Sequence, residues 1–367
     1  MTSVLEVEDY YDADKLDSAA LKVKDRKKAR CPVRGCSAAL EECAYNTRWR
    51  LPYCRVHAIR LHPNPKLPTF VYYNGEDLES KNRARLRNFR CEQSFVEHHV
   101  LNNSKKAETH RLGYENSEDA LSWNVFVLLL QARKLGIVLQ HLSRGRLAAS
   151  SIAPELNLWG SRIDLTARTF DEYQPLLAAR KYFETDIKQF PTEPDIMLIT
   201  DRAVICIEAK LTSGNPLTVK ESKTEPGSKP KTHEGIIQRY FNRWPKAKRY
   251  IDPQKLMESE LHSQLFRNVI FATWMAELEG KDWHVVNLVS STQWSRRQQV
   301  SGEQRDYDFH DPTASITGYL RQDFQDHFTF CTWEELYREV VQGDTDLEKL
   351  TVYLRGKTAH LDRAFNI

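Results

Sequence analysis

Hydrophobic and polar positions divide the chain near residue 110. The first hundred or so residues carry no sustained apolar periodicity. From Asn116 onward helix-like and strand-like stretches alternate, the pattern of an α/β domain. Ser117 before Glu118 and Asp119 marks a helix start, and Leu121, Val125, Leu128 and Leu129 hold one face of that helix up to Gly136. Strands are predicted at Ile137 to His141, Arg162 to Thr166, Asp195 to Thr200 and Ala203 to Leu211, with a helix near Asp171 to Phe183. Thr212 to Thr232, rich in Lys, Ser, Thr, Gly and Pro, reads as a mobile surface loop. Two helices follow, Glu234 to Lys248 and a long one from about Pro253 to Leu278 with an apolar face. A buried strand at Trp283 to Val289, an ambiguous polar segment at Ser290 to Asp326, and a strand at Phe328 to Cys331 leading into a helix from Thr332 complete the pattern. The expected organisation is a small N-terminal module over 1–110 and an α/β domain over 111–367 with a C-terminal helical extension.

Composition narrows the class. With 367 residues, 41% of them hydrophobic, the chain has room for two domains with a sizeable core. The longest apolar stretches, Val125 to Leu130 and Val269 to Ala276, fall far short of the roughly 20 residues of a membrane helix. The acidic start from Met1 lacks a signal peptide's basic and apolar regions, so a soluble cytoplasmic protein without a membrane partner is expected.

The net charge of +3 says little, and the distribution of charge says more. An acidic run (Glu6, Glu8, Asp9, Asp12, Asp14, Asp17) precedes a basic one (Lys22, Lys24, Arg26, Lys27, Lys28, Arg30), and Arg83, Arg85, Arg87 and Arg90 form another. Such runs are commonly solvated surface. Here the basic runs flank one cysteine-rich segment and offer phosphates a place to bind. In that segment Cys31-x4-Cys36 and Cys54-x2-His57 make two ligand pairs separated by a loop, the arrangement of a tetrahedral structural zinc site. Cys43 or His62 remains an alternative for one ligand. A closed site of this kind would staple a segment poor in core residues, and Arg30, Arg34, Arg48, Arg50, Arg55 and Arg60 around it suit a nucleic-acid or partner contact.

The sharpest chemistry lies in Pro194-Asp195-Ile-Met-Leu-Ile-Thr200, Asp201-Arg202, then Ala203-Val-Ile-Cys-Ile-Glu208-Ala209-Lys210. Two apolar runs around a polar turn form a hairpin. With Asp201 and Arg202 as the turn residues, Asp195 faces Glu208, and strand alternation puts Lys210 on the face of Glu208. Paired carboxylates repel each other and suit a hard divalent cation, Mg²⁺ or Mn²⁺, while the lysine adds a positive charge for metal-assisted hydrolysis. A cross-strand ion pair on an exposed hairpin is the simpler alternative. Apolar Ile205 and Ile207 beside Glu208 favour the end of a buried strand.

Pro194-Asp195, a strand-length spacer and Glu208-Ala209-Lys210 resemble the signature of the PD-(D/E)XK phosphodiesterase superfamily. The resemblance implies a restriction-endonuclease-like core, a mixed central sheet flanked by helices, over about 117–290, with the zinc-binding module preceding it. It implies that Asp195 and Glu208 ligate the metal and Lys210 assists the attacking water. It also implies an acid from the first core helix, Glu118 or else Asp119, although first-turn acids equally answer the helix dipole. A glutamine on the helix after the lysine strand would be Gln238. The tyrosine expected four residues later is Asn242 here, with Tyr240 nearer. Arg239, Arg243, Lys246, Lys248 and Arg249 on that helix suit phosphates or a solvated face. The expected function is a metal-dependent endonuclease acting on nucleic acid, DNA ahead of RNA, in restriction or anti-phage defence. The alternative is a non-catalytic nucleic-acid-binding or assembly protein on the same fold. The apolar face of Leu265 to Met275 reads as core, and the same chemistry would serve a homodimer or a partner protein.

Overall fold

The computed structural model describes residues 10–25, 28–44, 50–62, 69–102, 111–147, 153–185, 191–215, 233–293, 311–359 and 362–367. Glu6, Glu8, Asp9, Arg26, Lys27 and Arg48, residues 216–232 of the expected loop, and residues 294–310 of the ambiguous polar segment lie outside them. The chain forms two compact units, one of residues 1–128 with 345–367 and one of residues 129–344. No helix among the described residues is long and apolar enough to cross a membrane.

The first unit holds an antiparallel sheet in the order β1 (Glu41–Ala44), β2 (Arg50–Cys54), β3 (Ile59–Leu61), β4 (Phe70–Tyr72). Its inward row, Cys54, Ile59, Leu61, Phe70 and Tyr72, packs with Tyr11, Leu16, Leu21 and Cys31. These strands of three to five residues are too short to show a period, which is why the sequence pattern is silent there. Helix α1 (Leu78–Leu86) is capped by Asp77, whose Oδ1 accepts from Ser80 N at 2.8 Å. Helix α2 (Glu118–Gln131) starts as expected, with Ser117 Oγ accepting from Ala120 N at 3.2 Å. The C-terminal segment returns to this unit. Lys357, fully buried, donates to the Glu115 carbonyl and lies 3.7 Å from its Oε1, and Thr358 N donates to the same carboxylate oxygen at 3.2 Å.

The second unit is a mixed α/β layer structure. Its strands are β5 (Glu155–Leu158), β6 (Ser161–Asp164), β7 (Thr169–Glu172), β8 (Ile196–Ile199), β9 (Ala203–Lys210), β10 (Asp282–Val289) and β11 (Phe328–Thr332). They form one seven-stranded sheet in the order β11-β10-β9-β8-β5-β6-β7. β9, β10 and β11 run parallel, and the other neighbours are antiparallel. The β8–β9 register is the expected one, Ile196 facing Ile207 and Ile199 facing Val204. In the turn, Thr200 Oγ1 accepts from the amides of Arg202 (3.1 Å) and Ala203 (2.8 Å).

Helices of this unit are α3 (Leu135–Leu142), α4 (Gln174–Phe183), α5 (His233–Arg243), α6 (Pro253–Glu258), α7 (Ser263–Glu279), α8 (Thr313–Tyr319) and the short α9 (Trp333–Leu336), which Thr332 caps as expected. α7 lies across β9 and β10. Met197, Val204, Cys206 and Val285 of the sheet meet Phe183, Tyr240, Phe266, Val269 and Phe271 of α4, α5 and α7 in the core. Three expectations are corrected. Ile137 to His141 is helical, because buried Leu135, Val138, Leu139 and Leu142 recur at helical spacing across the β-branched pair. The helix from Glu234 stops at Arg243, since Pro245 cannot continue it, and a 3-10 turn over Pro245–Arg249 follows. The long helix from Pro253 divides, with Ser259 extended after α6 and His262 preceding α7.

Candidate active site and metal centre

Asp195, Glu208 and Lys210 come together at one end of the β8–β9 hairpin. Glu208 and Lys210 end a strand buried along its whole length, so both charges sit almost without solvent. Each therefore needs partners. Lys210 Nζ donates to Glu208 Oε1 at 2.5 Å and lies 3.9 Å from Asp195 Oδ2. Asp195 precedes β8 and is partly exposed, and its Oδ2 accepts from Ala209 N at 2.9 Å, which fixes it beside the end of β9. Burial pushes the neighbouring Cys206 thiol up, and the charge of Glu208 adds to this. Two carboxylates with a lysine between them give an oxygen-rich site of the kind hard cations take. Gln238 is placed differently: it is exposed on α5, and its Nε2 donates to Glu234 Oε1 at 2.7 Å. Glu118 belongs to the first unit, in the first turn of α2.

A second cluster lies in the first unit. Cys31, Cys36, Cys54 and His57 place one ligand atom each within 4.8 Å of one another. Cys54 closes β2, His57 sits in the turn to β3, and Cys31 and Cys36 bracket a loop with Gly35 at φ +77°. The separations are 3.9 Å for Cys36 Sγ to Cys54 Sγ, and 3.3 and 3.5 Å from His57 Nδ1 to the sulfurs of Cys31 and Cys54. A tetrahedral zinc with Zn–S near 2.3 Å and Zn–N near 2.05 Å requires edges of about 3.8 and about 3.6 Å, so the spacing fits. The hydrogen bond between Cys31 and Cys54 lowers the Cys54 thiol to about 5 and raises that of Cys31. Buried Arg87 holds the ligand turn, donating to Ala58 O at 2.8 Å and His57 O at 3.0 Å. Cys43, on β1 opposite Leu51, and His62, packed against the Tyr114 ring, stand outside the cluster. Part of the expected basic surround is engaged within the unit: Arg30 pairs with Asp17 at 2.5 Å and Arg60 with Glu76 at 3.5 Å.

A family described as restriction endonuclease associating with ARP matches residues 58–357, well over half of the chain. The chain belongs to this family. No curated protein and no solved structure matches it. The match contains the carboxylate cluster and begins one residue after the last member of the cysteine–histidine cluster.

In this family member several residues that support the carboxylate cluster escaped sequence reasoning. Buried Asn268 of α7 donates from Nδ2 to Glu208 Oε2 at 2.9 Å. Asn287 on β10 lies in register beside Glu208, and its Oδ1 accepts from Asn215 Nδ2 at 2.8 Å. The approach to Asp195 is stapled by Glu184, which accepts from Thr192 N at 2.6 Å, from Thr192 Oγ1, and from Tyr240 Oη at 2.8 Å. Arg180 adds a bond to Thr192 O at 2.8 Å. The signal available in the sequence was polar residues breaking apolar runs, at Asn268 inside the α7 face and at Asn287 inside β10.

Proposed function

We propose that this restriction-endonuclease family member is a metal-dependent nuclease that hydrolyses phosphodiester bonds, DNA ahead of RNA, on the PD-(D/E)XK pattern. One observation carries the reading: a buried strand ends in Glu208 and Lys210, with Asp195 fixed beside them. The donor set fits Mg²⁺ or Mn²⁺, and Asp195 and Glu208 would hold it. Once bound, such a cation polarises a phosphoryl oxygen and lowers the pKa of bound water. Lys210, whose ammonium already lies within reach of both carboxylates, would orient the attacking water and stabilise developing negative charge. Glu118 is proposed as a supplementary acid and Gln238 as a substrate contact. Cys31, Cys36, Cys54 and His57 are proposed to hold a structural Zn²⁺. The family's description names ARP as the associate, which supports a partner protein ahead of a homodimer; restriction or anti-phage defence is the setting we propose.

The test is cleavage of plasmid DNA and of single-stranded RNA, each with Mg²⁺ and with chelator. Wild type should cut DNA only with Mg²⁺, and Asp195→Ala, Glu208→Ala and Lys210→Ala should not. Undiminished cutting by all three variants would sink the proposal. The closed Lys210–Glu208 pair favours a second reading, a nucleic-acid-binding protein whose ionic cluster is structural. Calorimetry separates the two. Mn²⁺ binding that disappears in Asp195→Ala supports the enzyme, and no binding by wild type supports the second reading.

A further inference from the structure

Three buried asparagines surround Glu208, and the mechanism above uses none of them. Asn268 comes from α7, Asn287 from β10 and Asn215 from the segment after β9. Asn268 donates to Oε2 of Glu208, and Lys210 to Oε1. Asn287, 0% exposed, and Asn215, 4% exposed, bond to each other through one amide hydrogen only. Asn287 Nδ2 and Asn215 Oδ1 have no hydrogen-bond partner among the described residues. A buried amide without partners costs about 1–3 kcal/mol, so two such atoms beside a carboxylate cluster point to a polar guest. Neutral amides also add no cation that would compete for Glu208.

Building on the proposed metal site, we propose that the asparagines form its neutral polar wall. Asn268 is a positioning residue that fixes the Glu208 carboxylate, and the Asn287–Asn215 pair would hold a water of a bound cation's hydration shell. Mg²⁺ and Mn²⁺ sites of few carboxylates retain several waters, and such outer contacts are worth about 10–100-fold in metal affinity. The experiment is calorimetric Mn²⁺ binding to the full chain, together with the thermal midpoint, for wild type, Asn268→Leu, Asn268→Gln and Asn287→Leu. Asn268→Leu, of the same branching without a donor, should weaken Mn²⁺ binding at least about 10-fold, and Asn268→Gln, which keeps the amide, should recover most of it. Asn287→Leu, which also takes the acceptor from Asn215 Nδ2, should lower the thermal midpoint and weaken Mn²⁺ binding, with the affinity loss persisting well below either midpoint, which a purely structural role would not give. Wild-type affinity in both leucine variants would overturn the inference and leave the metal site standing. Absence of Mn²⁺ binding by wild type would overturn both. Should Asn268→Leu fail to fold, Asn287→Leu decides alone.

Discussion

Glu208 and Lys210 illustrate how a buried charge is tolerated at one residue and used at the next. Removing one partner of a buried ion pair leaves the other uncompensated, at a cost of about 3–5 kcal/mol. Lys210→Met should therefore lower stability by about that amount, since Glu208 keeps only the Asn268 amide. A divalent cation held by Asp195 and Glu208 would restore positive charge beside Glu208. Mn²⁺ should then raise the thermal midpoint of Lys210→Met by several degrees more than that of wild type. Equal shifts in the two proteins would count against metal binding at these carboxylates. Gly160 is a second residue with a specific duty. It stands at φ +78° next to Trp159, whose amide donates to Asp195 O at 3.2 Å, and a Cβ there would meet Leu176 Cδ2 at 2.8 Å and Arg180 Nη2 at 3.2 Å. Gly160→Ala should cost about 1–3 kcal/mol in urea unfolding, and a neutral result would show that the turn relaxes freely.

Among the elements, the β8–β9 hairpin was legible in the sequence down to its register, because two apolar runs with a two-residue turn admit one pairing that keeps Asp195 beside Glu208. The helix α2 start and the strand β10 were legible for the same reason, an apolar pattern long enough to show its period. The sheet β1–β4 was not, since three to five residues per strand carry no period. Nor were Glu184, Thr192 and Tyr240, whose meaning lies in contacts between positions 8 and 56 residues apart. The cysteine pairs were legible as spacing alone, and the fold settles that His57, and neither Cys43 nor His62, completes the cluster. The turn carrying His57 rests on the Arg87 bonds, on Tyr73 N donating to Ala58 O at 2.8 Å and on the edge-on Tyr11 ring. If the cluster holds zinc as proposed, a chelator under reducing conditions should speed amide exchange at Cys31–Cys36 and Cys54–Ile59. Unchanged exchange there would mean that packing alone supports the knuckle.

At the scale of the whole molecule, stability should depend on acid through histidines buried far from either cluster in sequence. Arg146 donates to Asp282 Oδ2 and to Trp283 O, both at 2.6 Å, and lies 3.4 Å from His284 Nδ1 and 3.2 Å from His327 Nε2. His284 Nε2 reaches Thr329 Oγ1 at 2.9 Å, so its neutral form bridges β10 and β11. Burial holds His284 well below the ordinary histidine range, and Arg146 and His327 push it further down. Burial and Arg146 lower His327 too, against Asp282 and Asp326. A folded-state pKa below the unfolded value means that the unfolded chain takes up protons first. The contribution of these groups is thus present above about pH 6.5 and is lost as pH falls below that toward their folded-state values. Glu115 works in the opposite sense, because burial raises its pKa and its penalty is relieved in acid. A single wild-type curve therefore mixes the two, and a difference is needed. The urea midpoint of wild type should fall more between pH 7.5 and pH 5.0 than that of His284→Gln, which keeps a neutral amide at the β10–β11 seam and cannot be protonated. Parallel curves for the two proteins would remove His284 from the account and leave the acid sensitivity to His327 and the carboxylates.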